Sequence, residues 1–139
     1  MHLLCSVYKK FDQPDTGKLL LRIMLGGILI FHGAHKLIYG IDEVREMLAA
    51  SGLPAFLGYG VYAGELVAPV LLLAGILTRA AALFIMINMV FAWYLGDAPE
   101  TLHLDAQGGL MIEGLLFYFF SAIAVIFLGA GKYAVIKNS

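Results

Sequence analysis

A single stretch, Leu19 to Ile38, limits what this chain can become. It reads LLLRIMLGGILIFHGAHKLI. As a helix rising about 1.5 Å per residue, it is long enough to cross a bilayer core of about 30 Å. Yet it contains Arg22, His32, His35 and Lys36. A cation at the centre of a membrane helix costs about 2.5–3.5 kcal/mol on insertion scales. Such a helix is expected to face other helices that supply its counter-charges.

The composition agrees with life in lipid. Hydrophobic residues make up 61% of the 139 and charged residues 14%, against about 45–50% apolar in a soluble domain. Mean hydropathy is +0.88. These values predict one integral membrane domain over residues 1–139. A net charge of −1 without a basic patch excludes a nucleic-acid partner. Cys5 is the lone cysteine, which excludes an internal disulfide, a CxxC redox pair and a thiolate metal site. The first apolar run, Met1 to Tyr8, is too short for a cleavable signal and runs into Lys9 and Lys10.

Residues 1–18 read as a basic, polar entry with a turn at Pro14, Asp15 and Gly17. Spans are expected at about 19–38, 60–78, 80–96 and 108–129. Between the first two, Ile41, Val44, Met47 and Leu48 recur at helical spacing, predicting a short interfacial helix with Asp42 as N-cap and Ser51-Gly52 as its stop. Gly60, Gly64 and Ala68 give the second span a small-residue face for close packing. Thr78-Arg79 is the expected tight turn into the third span, and residues 97–107 form an acidic loop. The pattern predicts an all-α, four-helix antiparallel transmembrane bundle. Lys9, Lys10, Lys18, Arg79, Lys132 and Lys137 fall on one side of it and only Arg45 in the opposite loops, so both termini are expected in the cytoplasm.

Depth then follows from helical rise. His32 lies about 9 Å and Lys36 about 3 Å inside the outer end of the first span, while Glu65 and Glu113 each lie about 8 Å below the outer ends of theirs. The expected site is therefore one polar cluster of His32, Lys36, Glu65 and Glu113, with His35 at its margin. Arg22 and Arg79, near the inner ends, read first as interface anchors, and Asn88 as an interhelical hydrogen-bonder. No metal is expected, because His32-x-x-His35 lacks the Glu-x-x-His pattern of di-iron bundles and only two membrane carboxylates exist. Two intramembrane histidines on one helix also speak against bis-histidine haem.

The chain resembles the DoxX family of small four-helix bacterial membrane proteins. The matching residues are Arg22 with Gly26, FHGAHKL (31–37), GLP (52–54), GELVAPVLLLAGILTRAAAL (64–83), Glu113 and GAGKY (129–133). The likeness runs over about residues 19–135. It implies a multi-pass protein of the bacterial inner membrane. Some members are described as subunits of a thiosulfate:quinone oxidoreductase or as associated with a quinol oxidase. Others associate with redox-detoxification enzymes, and distant relatives act in membrane assembly. Two readings stay open. In the first, the chain is a redox-associated subunit that has no intrinsic cofactor but meets a quinone at the cluster. His32 or Lys36 would donate to its carbonyl and Glu65 or Glu113 would move protons, with Phe117-Tyr118-Phe119-Phe120 as a slot for the ring. That reading requires a protein partner, since no electron carrier is visible. In the second, the chain is a scaffold or homo-oligomer and the cluster is a staple.

Overall fold

A computed structural model describes residues 1–139. The chain is helical throughout, apart from one isolated bridge between Leu104 and Leu110. We number the helices α1 (His2–Phe11), α2 (Pro14–Tyr39), α3 (Asp42–Ala50), α4 (Ala55–Ala74), α5 (Thr78–Glu100) and α6 (Glu113–Leu128). Three of them, α2, α4 and α5, are long and apolar enough to cross a membrane. The fourth apolar helix, α6, has 16 residues, or about 24 Å of rise.

The boundaries depart from expectation at places with local causes. The expected polar entry contains a ten-residue helix, α1. Helix α2 starts at Pro14 because proline tolerates a first turn, where no N–H bond is lost. Asp42 is the first residue of α3, and Ile41 holds the cap position without a side-chain bond. The turn between α4 and α5 falls at Gly75–Leu77, where both flanking residues have positive φ, and Thr78 already opens α5. Helix α6 begins five residues later than the expected 108. The Asp105 carboxylate accepts the N–H groups of Gln107 and Gly109, which commits that segment to a turn.

Packing follows the apolar stripes. Helix α2 lies against α4 and α6, and α5 lies against α4 and α6. Leu29, Leu72, Ile85 and Val125, one from each helix, are fully buried at their common core. The large side chains Phe31, Val70, Phe84, Phe117 and Phe127 point outward. An apolar exterior around helices that satisfy their own backbones is what lipid requires.

The chain's two ends meet. The Lys132 N–H donates to Asp15 at 3.1 Å. The Val135 and Ile136 N–H groups donate to the Ala74 and Gly75 carbonyls, each at 3.0 Å. Residues 129–139 thus strap one end of the molecule, where the basic residues collect.

Candidate functional site

Glu65 is the centre of the site, and its helix explains its position. Pro69, four residues on, has no N–H for the Glu65 carbonyl, and its ring crowds that group. The backbone widens into a π-turn over Ala63–Val67, in which the Ala68 N–H reaches the Ala63 carbonyl. Such turns recur at functional sites. Gly33 of α2 lies directly against this segment. A Cβ there would stand 2.6 Å from the Glu65 carbonyl carbon. On the other side, a Cβ on Gly64 would stand 2.6 Å from the Asn88 Cβ. These two glycines let α2 and α5 close on α4 at the level of the carboxylate.

The carboxylate is shared between the two neighbours. Lys36 Nζ of α2 lies 2.5 Å from Glu65 Oε2, and Asn88 Nδ2 of α5 donates to Oε1 at 3.1 Å. The Glu65 side chain is 7% exposed and that of Lys36 26%. The Tyr62 hydroxyl donates to the Lys36 carbonyl at 3.1 Å, which fixes the last turn of α2. No buried side-chain polar atom lacks a partner. A charge-assisted pair with a neutral amide on the second oxygen is a strong arrangement in a low-dielectric interior.

Asn88 also opens onto a cavity of about 230 Å³ between α3, α4 and α5. Its walls include Leu48, Val61, Phe84 and Phe91, and Asn88 is its only polar side chain. A second cavity of about 340 Å³ lies between α5 and α6 at Met89, Trp93 and Phe119. There the one polar side chain, Thr101, already accepts the Trp93 indole N–H at 2.8 Å. Of these two cavities, the first reaches the buried acid, through Asn88.

The expected cluster is thus brought together only in part. Lys36 and Glu65 meet, and Asn88 completes the group. His32 is exposed and packs edge-on against Tyr118 at 6.0 Å between ring centroids. Tyr118 in turn lies within electrostatic reach of Glu65. His35 is exposed and stacks on Tyr39 at 4.5 Å. Glu113 stands apart: as the first residue of α6 it is exposed at the helix end, beside Gly109. The late start of α6 puts it there. No three His, Cys, Asp or Glu side chains converge as a metal-ligand set. Of the aromatic run, Phe117 and Phe120 point outward, while Tyr118 and Phe119 turn inward.

The two arginines expected as interface anchors differ in burial, Arg22 lying inside the protein and Arg79 at its surface. Arg22 is 1% exposed. It donates to the carbonyls of Leu72 (2.9 Å), Leu73 (3.1 Å), Ala130 (2.8 Å) and Tyr133 (2.9 Å). Arg79 donates to the Ile126 and Asn138 carbonyls at 2.9 and 2.8 Å. Each guanidinium joins a helix C-terminus, Leu72 and Leu73 of α4 or Ile126 of α6, where the helix dipole is negative, to carbonyls of the strap. Sequence reasoning missed this clasp, and it missed Tyr62. The latter had a signal: it sits three residues before Glu65, on the same helix face.

Comparison with known proteins gives the family. Residues 17–98 match the DoxX family. A Bacillus subtilis (strain 168) protein named "Putative oxidoreductase CatD" is 34% identical over 92 residues, covering 66% of this chain and 63% of that protein's length. A Haemophilus influenzae (strain ATCC 51907 / DSM 11121 / KW20 / Rd) protein, named only "Uncharacterized protein", is 30% identical over 121 residues, covering 83% of this chain and 84% of its own. No solved structure matches. The match to the family spans the π-turn, the Lys36–Glu65–Asn88 group and Arg22, and the chain belongs to the DoxX family.

Proposed function

We propose that this chain is the membrane subunit of a redox assembly, linked to quinone or quinol. In this reading α2, α4, α5 and α6 form a four-helix antiparallel transmembrane bundle in the bacterial inner membrane. Both ends of the chain face the cytoplasm, because the basic residues gather there. The family and the printed name of the Bacillus relative support the redox association. The observation that carries the site is Asn88, which ties a buried carboxylate to an apolar cavity.

The residues fit a quinone head group. The cavity offers apolar walls for a flat ring, and the Asn88 amide retains a second N–H and its carbonyl for the ring's oxygens. The bound group would supply the two-electron, two-proton couple. Glu65, held between Lys36 and Asn88, is the group that takes or delivers a proton. Lys36 pairs with the carboxylate and, being partly exposed, provides a way out for the proton. In this reading a partner protein supplies the electrons.

The test is mass spectrometry of small molecules extracted from purified wild type and Glu65→Gln. The reading expects near-stoichiometric quinone in the wild type and loss in a variant of unchanged helical content. Absence of quinone from a folded wild type that still captures its partner would favour the alternative, a non-catalytic scaffold. The complete pairing of Glu65 favours that alternative to the extent that a staple needs nothing more.

A further inference from the structure

Helix α1 has no role in anything described so far, and its surface is unusual. At about 100° per residue, Leu3, Leu4, Val7, Tyr8 and Phe11 fall within an arc of about 140°. All five are exposed, Leu3 by 80% and Phe11 by 78%, and no residue of the helix is buried against the rest of the chain. The opposite arc carries His2, Ser6, Lys9 and Lys10, and the helix has no acidic residue. Ten residues rise about 15 Å, half of what a span needs.

We propose that α1 is an in-plane anchor that binds an anionic lipid surface. Three observations choose that occupant over a protein or a second copy. First, α1 is joined to the membrane-spanning α2 by Asp12 and Gln13 alone. That joint is tied on both sides: Gln13 Nε2 donates to the Lys10 carbonyl at 3.0 Å, and the Thr16 hydroxyl donates to Gln13 Oε1 at 3.1 Å. The apolar arc is therefore held at the level where a bilayer begins. Second, Lys18 lies beside Gly131, the neighbour of Lys132 in the strap, Lys137 belongs to the same strap, and Lys9 and Lys10 bring the lysines at this end to five against Asp12 and Asp15, so this end is basic. Polybasic segments next to a span are drawn to anionic headgroups. Third, an apolar arc with lysines on the polar side is the pattern of helices that lie in the headgroup region. The inference does not depend on the redox reading of Glu65.

The test places a single cysteine on the apolar arc: Cys5, the only native one, lies about 60° outside it, so the variant Cys5→Ser/Tyr8→Cys carries the label at a position that is exposed in the chain. An environment-sensitive fluorophore attached there is read in the full chain, reconstituted one copy per nanodisc. Two lipid mixtures are compared, phosphatidylcholine with phosphatidylglycerol and phosphatidylcholine alone. The expected result is a blue-shifted emission, quenched by a doxyl group on the lipid chains, in the anionic mixture. The shift falls away without phosphatidylglycerol and in Lys9→Glu/Lys10→Glu. Val7→Asp abolishes it in both mixtures. None of these positions is buried, so the thermal midpoint of the chain stays put and serves as the folding control. A water-exposed label in the anionic mixture overturns the proposal. So does an equal blue shift in both mixtures that survives charge reversal, or a shift that appears only when several copies share a disc.

Discussion

Both ends of this molecule bury charge among apolar helices, by opposite means. At the strapped end, Arg22 is 1% exposed and is surrounded by four backbone carbonyls. At the other, Glu65 is met by two side chains, one of them a quarter exposed, beside an apolar cavity. A guanidinium among carbonyls cannot change its charge, so the first arrangement is a fixture. A carboxylate between a lysine and an amide can take up a proton, and side chains can rearrange where backbone cannot. The two buried charges differ in the nature of their partners and in access to empty space, and the proposed function rests on that difference.

The comparison makes unequal demands on mutation. Arg22→Ala removes the side-chain donor to the Leu73, Ala130 and Tyr133 carbonyls and one of two donors to Leu72, which together join the end of α4 to the strap. With about 1–3 kcal/mol for each buried acceptor left unpaired, it is expected to cost at least about 3 kcal/mol and lower the thermal midpoint most of any variant. Arg22→Lys restores only part, because an ammonium cannot reach carbonyls on both sides at once. A wild-type midpoint in Arg22→Ala would erase the contrast between the two ends.

Gly33→Ala comes next. Its methyl group collides with the Glu65 backbone, and overpacking of this kind costs about 1–3 kcal/mol. The separation of α2 from α4 would register in both the midpoint and ligand retention. Glu65→Gln keeps the shape and the Asn88 bond but loses the charge pair, for about 1–2 kcal/mol. Lys36 then turns toward water, so the fold survives while proton-linked function is lost. Glu113→Gln is expected to change stability by less than about 0.5 kcal/mol and to leave ligand retention intact. A large effect there would return Glu113 to the site.

Much of this was legible in the sequence, because the signals were strong and local. Charges inside apolar runs fixed attention on His32, Lys36, Glu65 and Glu113 as one cluster, of which Lys36 and Glu65 form the ion pair. Membrane character followed from composition alone. What escaped was set by turn chemistry and by distant backbone. Asp105 folds its own neighbours into a turn, which shortens α6 and moves Glu113 to its tip. The expected depth of Glu113 assumed a helix running from residue 108. Arg22 bonds to carbonyls about 50 and 110 residues away in sequence, and backbone acceptors leave no trace in residue identity. Helix α1 was hidden because Met1 to Tyr8 reads as an apolar run too short to span and Lys9 and Lys10 as its end, which conceals one amphipathic pattern running through both.

The most direct test of the contrast is ligand-linked thermal stabilisation. A short-chain quinone analogue is added to the wild type, Glu65→Gln and Glu113→Gln, and the shift of each unfolding midpoint is read. A ligand that binds only the folded chain, at about 100 times its Kd, adds about 2.7 kcal/mol of stability. The account predicts an upward shift for the wild type and Glu113→Gln and none for Glu65→Gln. Equal shifts in all three, or no shift in any, would contradict it and leave the Lys36–Glu65–Asn88 group as a staple.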